Sequence, residues 1–202
     1  MNKIKELQKL HDKVLALRSS PLYAYRTKNK YLPVMGEGSA DANIVFVGEA
    51  PGKNEAKTGR PFCGAAGKIL DELLAHIGVN RADVFITSIV KDRPPENRQP
   101  TPAEIKCYGP FLDRQIEVIQ PKVIATLGRY AMNYVMEKYG LSAEIEPIGK
   151  AHGKAYRVMV PGAAGAEFTI IALYHPSVAL YNRTTLKTLK ADFTILKKYA
   201  RI

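Results

Sequence analysis

The chain has 202 residues, 46% hydrophobic and 24% charged, ordinary globular proportions that exclude a disordered, collagen-like or coiled-coil chain. Lys and Arg number 30 against 19 Asp and Glu, a formal charge of +11 at pH 7. Such an excess in a globular chain points to a polyanionic partner, nucleic acid first. In chain order, Ile4, Leu7, Leu10, Val14 and Leu17 recur at helical steps and predict a first helix, which Ser19-Ser20-Pro21 stops. A polar, tyrosine-bearing lead-in follows to Asp41. Four short β-branched runs, residues 44–47, 84–90, 123–127 and 168–173, have the length and composition of buried parallel strands. Helical patterns separate or follow them at residues 67–77, 129–139 and 185–199. Thr101-Pro102-Ala103-Glu104 is a capping box with Pro at the first helical position; it opens a helix towards Ile119, expected to bend at Gly109-Pro110. Residues 141–167, rich in Gly and Pro, read as an extended insertion with the character of a hairpin. Strands alternating with helices predict one α/β domain over residues 1–202 with a parallel sheet.

Two cysteines, Cys63 and Cys107, are too few for a disulfide framework, and neither has a Cys or His neighbour at zinc-ligand spacing. The segment MNKIKELQKL has no apolar core of a signal peptide, and no run of about 18 apolar residues occurs. The expected compartment is the cytoplasm.

The unusual residues fall after the strands. Gly48-Glu49-Ala50-Pro51-Gly52 and Gly59-Arg60-Pro61-Phe62 follow the first, the loop from Lys91 to Arg98 the second, Gly128-Arg129 the third and Tyr174-His175-Pro176-Ser177 the fourth. In open α/β sheets ligands bind at that carboxyl edge, so a carboxylate, an aromatic ring, cations and a histidine share one crevice. Gly64-Ala65-Ala66-Gly67-Lys68 is no phosphate loop: Phe62 stands where its first Gly belongs and Ile69 where Ser or Thr would meet magnesium. No G-x-G-x-x-G, G-x-S-x-G or H-E-x-x-H occurs.

The segments GEAPGKNEAKTGRPFCGAAGK (48–68), VKDRPPENRQPTPAE (90–104), IQPKVIATLG (119–128) and YHPSVALYN (174–182) resemble the uracil-DNA glycosylase superfamily, above all its family 4 branch. The resemblance spans almost the whole chain in the family's order. It implies a three-layer αβα sandwich around a four-stranded parallel sheet and hydrolysis of the bond between a deaminated base and deoxyribose. It implies Glu55 and His175 as the catalytic pair, with Glu49, Ala50, Asn54, Phe62 and Ser88 around the base. Ala50 stands where another branch of the superfamily has a catalytic Asp. Lys91, Arg93, Arg98, Ser177, Arg183 and Lys187 are the expected DNA contacts. Val178 to Tyr181 would wedge into the gap left by the flipped base. The chemistry agrees: a base must leave the stack to be attacked, a ring must stack on it, and a donor must stabilise its developing anion.

The sequence departs from the family in two respects. Family 4 members usually hold a four-iron, four-sulfur cluster on four cysteines; here those positions are Leu17, Ser20, Asp92 and Tyr108. Thiolates are what such a cluster needs, so the expectation is no cluster and no metal, with Ser20 or Tyr108 hydrogen-bonded to Asp92. The family's base-reading Asn is Ser88, whose hydroxyl cannot make an amide's paired contact. Uracil, hypoxanthine and xanthine therefore all stand as candidate bases. The reading is a metal-free, monomeric DNA glycosylase acting on single-stranded or mispaired sites. The alternatives are a DNA-binding module without catalysis and a nucleotide or acyl hydrolase in the same crevice.

Overall fold

The computed structural model describes residues 2–159 and 167–200. Helix α1 (Lys3–Leu15) begins at Asn2, whose side chain accepts the Lys5 N–H, and buries Leu10 and Val14. The lead-in contains α2 (Tyr23–Lys28) and a two-residue strand, β1 (Glu37–Gly38). Neither is long enough to show a period in the sequence. Then come β2 (Ile44–Gly48), α3 (Lys53–Thr58), α4 (Ala65–His76) and β3 (Phe85–Ser88). Next are α5 (Pro102–Ile119), β4 (Val123–Leu127) and α6 (Arg129–Lys138). The capping box forms as expected, and α5 runs unbroken through Pro110. The insertion holds a short helix, α7 (Ile148–Ala151), and β5 (Ala155–Met159), antiparallel to β6 (Glu167–Leu173). The hairpin's turn, residues 160–166, lies outside the described residues. The chain continues through α8 (Val178–Tyr181), α9 (Thr185–Phe193) and α10 (Lys197–Ala200).

The sheet order is β1-β3-β2-β4-β6-β5. Its inner four strands are parallel, as expected, and an antiparallel strand closes each edge. All five β2 residues and all five β4 residues are buried, as strands covered on both faces must be. Side chains alternate between two cores. Val45, Val47 and Ile124 pack towards Leu112, Ile116 and Met132, on the side of α1, α5 and α6. Ile44, Phe46 and Ala125 pack towards Leu70, Leu73, Leu189 and Phe193, on the side of α4 and α9. This is a three-layer αβα sandwich. The pairs Gly48↔Ser88, Val47↔Thr126 and Leu127↔Leu173 set the carboxyl ends of the four parallel strands side by side. Among the described residues no helix is long and apolar enough to cross a membrane.

Candidate active site

From β2 the chain crosses to β3 on one side, then returns past β2 to β4 on the other. That reversal opens a crevice between the loops after β2 and β4, where doubly wound sheets bind ligands. A cleft of about 550 Å³ lies there, lined by Glu49, Glu55, Phe62, Ser88, Asn97 and His175, among others.

Phe62 is placed by what its neighbours lack. Its φ is +46°, a left-handed conformation that a bulky side chain adopts only when its surroundings hold it there. A Cβ on Gly48 would lie 2.9 Å from the Phe62 ring, and one on Gly67 only 1.8 Å from its carbonyl oxygen. Arg81 donates to the carbonyl oxygen of the preceding Pro61 at 2.6 Å and pairs with Asp71 at 2.8 Å. The ring faces that of His175, with centroids 5.6 Å apart and a tilt of 33°.

His175 leaves the end of β6 over Gly128, where a Cβ would lie 3.2 Å from its own. Its Nδ1 accepts the Ser177 amide at 3.2 Å and meets the Ser177 hydroxyl at 2.7 Å. An amide only donates, so Nδ1 carries no proton and the neutral ring keeps its proton on Nε2. Burial pulls its pKa down to about 4, because a charged imidazolium loses hydration there. Ser177, expected at the DNA, is thus also the residue that sets the tautomer.

Glu55 projects from α3. Its Oε1 accepts the amides of Cys63 at 3.0 Å and Gly64 at 2.9 Å. Its Oε2 occupies the space beside Gly52, 2.6 Å from where a Cβ would stand. One oxygen therefore latches the Phe62 loop while the other remains for a ligand or water. Burial raises the pKa of Glu49, and the nearby Arg129 charge opposes that rise. Ser88 is 3% exposed at the cleft floor; its Oγ and the Phe62 ring both crowd the space above Gly48.

Several expected contacts sit elsewhere. Lys91 is not on the DNA-facing surface but fully buried. Its ammonium donates to Ser88 O at 2.6 Å, Gln115 Oε1 at 2.7 Å and Thr87 Oγ1 at 2.8 Å. The loop turns it inward beneath the site floor. Arg93 is also buried, held by Asn97, Tyr25 and Tyr31. Asn54 is exposed on α3 and is not among the residues lining the cleft. Arg98 lines the cleft, but its guanidinium is bound by Glu104 at 2.6 and 2.9 Å. Ala50 lines the cleft wall, and Arg183 and Lys187 are exposed around α9. Arg129, Tyr130 and Tyr174 line the cleft as well. Arg129 and Tyr130 open α6, and Tyr174 follows β6.

Three of the four positions of the family's cluster ligands, Ser20, Asp92 and Tyr108, meet in a hydrogen-bonded network. Tyr108 donates to Asp92 Oδ2 at 2.6 Å, and the Ser20 and Tyr108 hydroxyls meet at 2.5 Å. Arg26 pairs with Asp92 at 3.1 Å and donates to the carbonyls of Val14 and Leu15, capping α1. Leu17 is partly buried against the hydrophobic core on the α1 and α5 side of the sheet. This donor set does not fit an iron–sulfur cluster, which needs thiolates. Among the described residues no group of three or more His, Cys, Asp or Glu converges as a metal site.

A neutral, donor-bearing imidazole, a stacking ring and an anchored carboxylate at the switch point of a doubly wound sheet belong to an α/β enzyme working at its sheet edge. The model of the uracil DNA glycosylase superfamily matches residues 35–197. The chain is 44% identical to a type-4 uracil-DNA glycosylase of Sulfurisphaera tokodaii over 195 residues, covering 96% of this chain and 84% of the relative. It is 45% identical to a type-4 uracil-DNA glycosylase of Archaeoglobus fulgidus, covering 84% and 81%. A type-5 uracil-DNA glycosylase of Thermus thermophilus is 30% identical, with 80% and 74% covered. The chain belongs to the uracil DNA glycosylase superfamily.

Proposed function

We propose that this chain is a monofunctional DNA glycosylase that hydrolyses the N-glycosidic bond of uracil in DNA. The observation that carries the reading is the Phe62–His175 pair, 5.6 Å apart, in one cleft with a carboxylate anchored by two backbone amides. A flipped base stacks on Phe62. As the bond from C1′ to the base breaks, its electron pair moves onto the base. The Nε2–H of neutral His175 then donates to the base oxygen where negative charge gathers. Glu55 offsets the positive charge growing on the sugar and orients a water towards C1′. Water adds its oxygen to C1′ and its proton ends on the base, leaving an abasic site and free base. No step needs a metal. We read residues 1–202 as one glycosylase domain, a cytoplasmic monomer that favours single-stranded or mispaired DNA, where flipping costs least.

Oligonucleotides carrying uracil, hypoxanthine or xanthine test the reading. Alkali-labile breaks are expected at uracil. Mobility shifts without breaks would instead favour a binding module. His175→Ala and Glu55→Ala are each expected to slow single-turnover excision by about 10²–10⁴-fold. Near wild-type rates in both would remove the pair from catalysis.

A further inference from the structure

We propose that His152 and Asp192 are positioning residues for excision: together they clamp the ring of Tyr174, and through it they fix the imidazole of His175, the next residue in the chain. The proposal rests on the glycosylase reading above.

Neither His152 nor Asp192 is among the residues lining the cleft. His152 caps the carboxyl end of α7, a single turn whose first residue, Ile148, stands in the cleft wall. So short a helix does not hold itself together. Its tail is pinned to β6 by backbone hydrogen bonds: the Gly153 N–H donates to the Ala172 carbonyl at 2.8 Å, and the Ala172 N–H to the Lys154 carbonyl at 3.1 Å. The His152 ring then reaches α9, with Nδ1 2.8 Å from Asp192 Oδ2. A carboxylate only accepts, so Nδ1 carries the proton it donates. Burial raises the Asp192 carboxyl, and the histidine opposes that rise. Gly153 makes the seat: its φ is +77°, and a Cβ there would lie 2.8 Å from Asp192 Oδ1. Ala151 packs in the core of α1, α5 and α6, whereas Leu189 and Phe193 of α9 pack in the opposite core. The pair therefore ties the two helical layers together at the end of β6.

Tyr174 is what the tie holds. Its ring stacks on that of His152, with centroids 4.3 Å apart and planes inclined by 27°. Its hydroxyl stands 3.6 Å from where a Cβ on Gly149 would lie. Tyr174 also lines the cleft beside His175. Both hydrogen bonds of the His175 ring go to Ser177, two residues on. They fix the ring relative to its own loop, not the loop relative to the sheet. The stacked Tyr174 ring supplies that fixed point. A donor displaced by about an ångström is enough to slow a reaction severely.

Three measurements test the clamp: single-turnover uracil excision at saturating enzyme, the dissociation constant for a strand with an uncleavable abasic analogue, and the ¹⁵N spectrum of the imidazoles. The chain has four histidines, so the His175 signals are assigned by their loss in His175→Ala. His152→Ala and Asp192→Ala are each expected to excise about tenfold more slowly, with affinity unchanged and the His175 ring signals displaced. Asp192→Asn keeps an acceptor for the Nδ1–H and is expected to stay near the wild-type rate. Tyr174→Leu is expected to be as slow as His152→Ala, and the double variant to be no slower than either. Additive losses would overturn the action through Tyr174. Weaker DNA binding with an unmoved His175 signal would make the pair a DNA contact and overturn the clamp. Wild-type excision and an unmoved His175 signal in His152→Ala overturn this proposal alone. Absence of uracil release by the wild type overturns the glycosylase reading beneath it, while the His175 signals still decide whether the clamp holds the imidazole. If His152→Ala does not fold, His152→Gln can still donate to Asp192 but has no ring for Tyr174, and it is read in the same way.

Discussion

Lys91 illustrates how far one side chain can depart from its surface role. Three acceptors surround its ammonium group, yet burial pulls its pKa from 10.5 down to about 7, with the charge of Asp113 opposing the fall. Desolvation wins because an ammonium group loses more hydration than these neutral partners restore. Between those two pH values the unfolded chain binds the extra proton. Stability therefore rises with pH across that window and is lost as pH falls towards 7. The Lys91→Met variant keeps the volume without the titration. Wild-type melting temperature, taken relative to this variant, is expected to climb between pH 7 and pH 10. A flat difference would mean that Lys91 stays charged in the folded chain. His175 shows the same physics with a functional result. Burial keeps it neutral, and Ser177 keeps its proton on Nε2.

Among the elements, the joint between α1, α2, α5 and the loop after β3 rests on Arg26, Asp92, Tyr108 and Ser20. Burial raises the Asp92 carboxyl, while Tyr108 and Arg26 pull it down. Such a pair is poor evidence of net stabilisation, but breaking it strands a buried charge. Asp92→Asn is expected to cost about 3–5 kcal/mol in urea denaturation. The apolar double variant Arg26→Met/Asp92→Leu should recover much of that, because no lone charge remains. A double variant worse than the single one would refute this account. Ferrous iron and sulfide, added without oxygen, are expected to leave the protein colourless. A visible iron–sulfur band would overturn the misfit of Leu17, Ser20, Asp92 and Tyr108. The joint adjoins the cleft loop, since Asp92 precedes Arg93 and the Arg93 cage draws Tyr25 from α2.

For the whole molecule, the charge of +11 acts on DNA only through the cations that face it. Binding should weaken steeply with salt as phosphate contacts release counterions. Arg183→Ala, at an exposed position, is expected to flatten the log–log slope by roughly 0.7–0.9. Arg93→Met, in the buried cage, should leave the slope unchanged. Titrations from low to physiological salt separate the two. Equal flattening would return Arg93 to the DNA surface.

The sequence by itself determined the parallel α/β sheet and the edge at which the cleft opens. Runs such as 44–47 and 123–127 are apolar at every position because both sheet faces are covered, and that signal is local. Gly48, Phe62, His175 and Ser177 were legible because glycine and proline punctuate the turns that carry them. What only the tertiary structure decided is the direction of the long cations. Lys91 and Arg98 stand in one loop, yet one lies under the floor and the other at the rim. Their spacing has no period to reveal a face, and Lys91 turns inward only because Gln115 of α5 and Thr87 of β3 wait there with acceptors. The same holds for β1 and β5, which exist as strands because β3 and β6 offer them an edge. It holds too for Arg93, which is buried because Tyr31 and Tyr25, 62 and 68 positions earlier in the chain, close a cage around it. Local pattern sets an element's identity, whereas a polar side chain's direction depends on partners that only the fold brings within hydrogen-bonding distance.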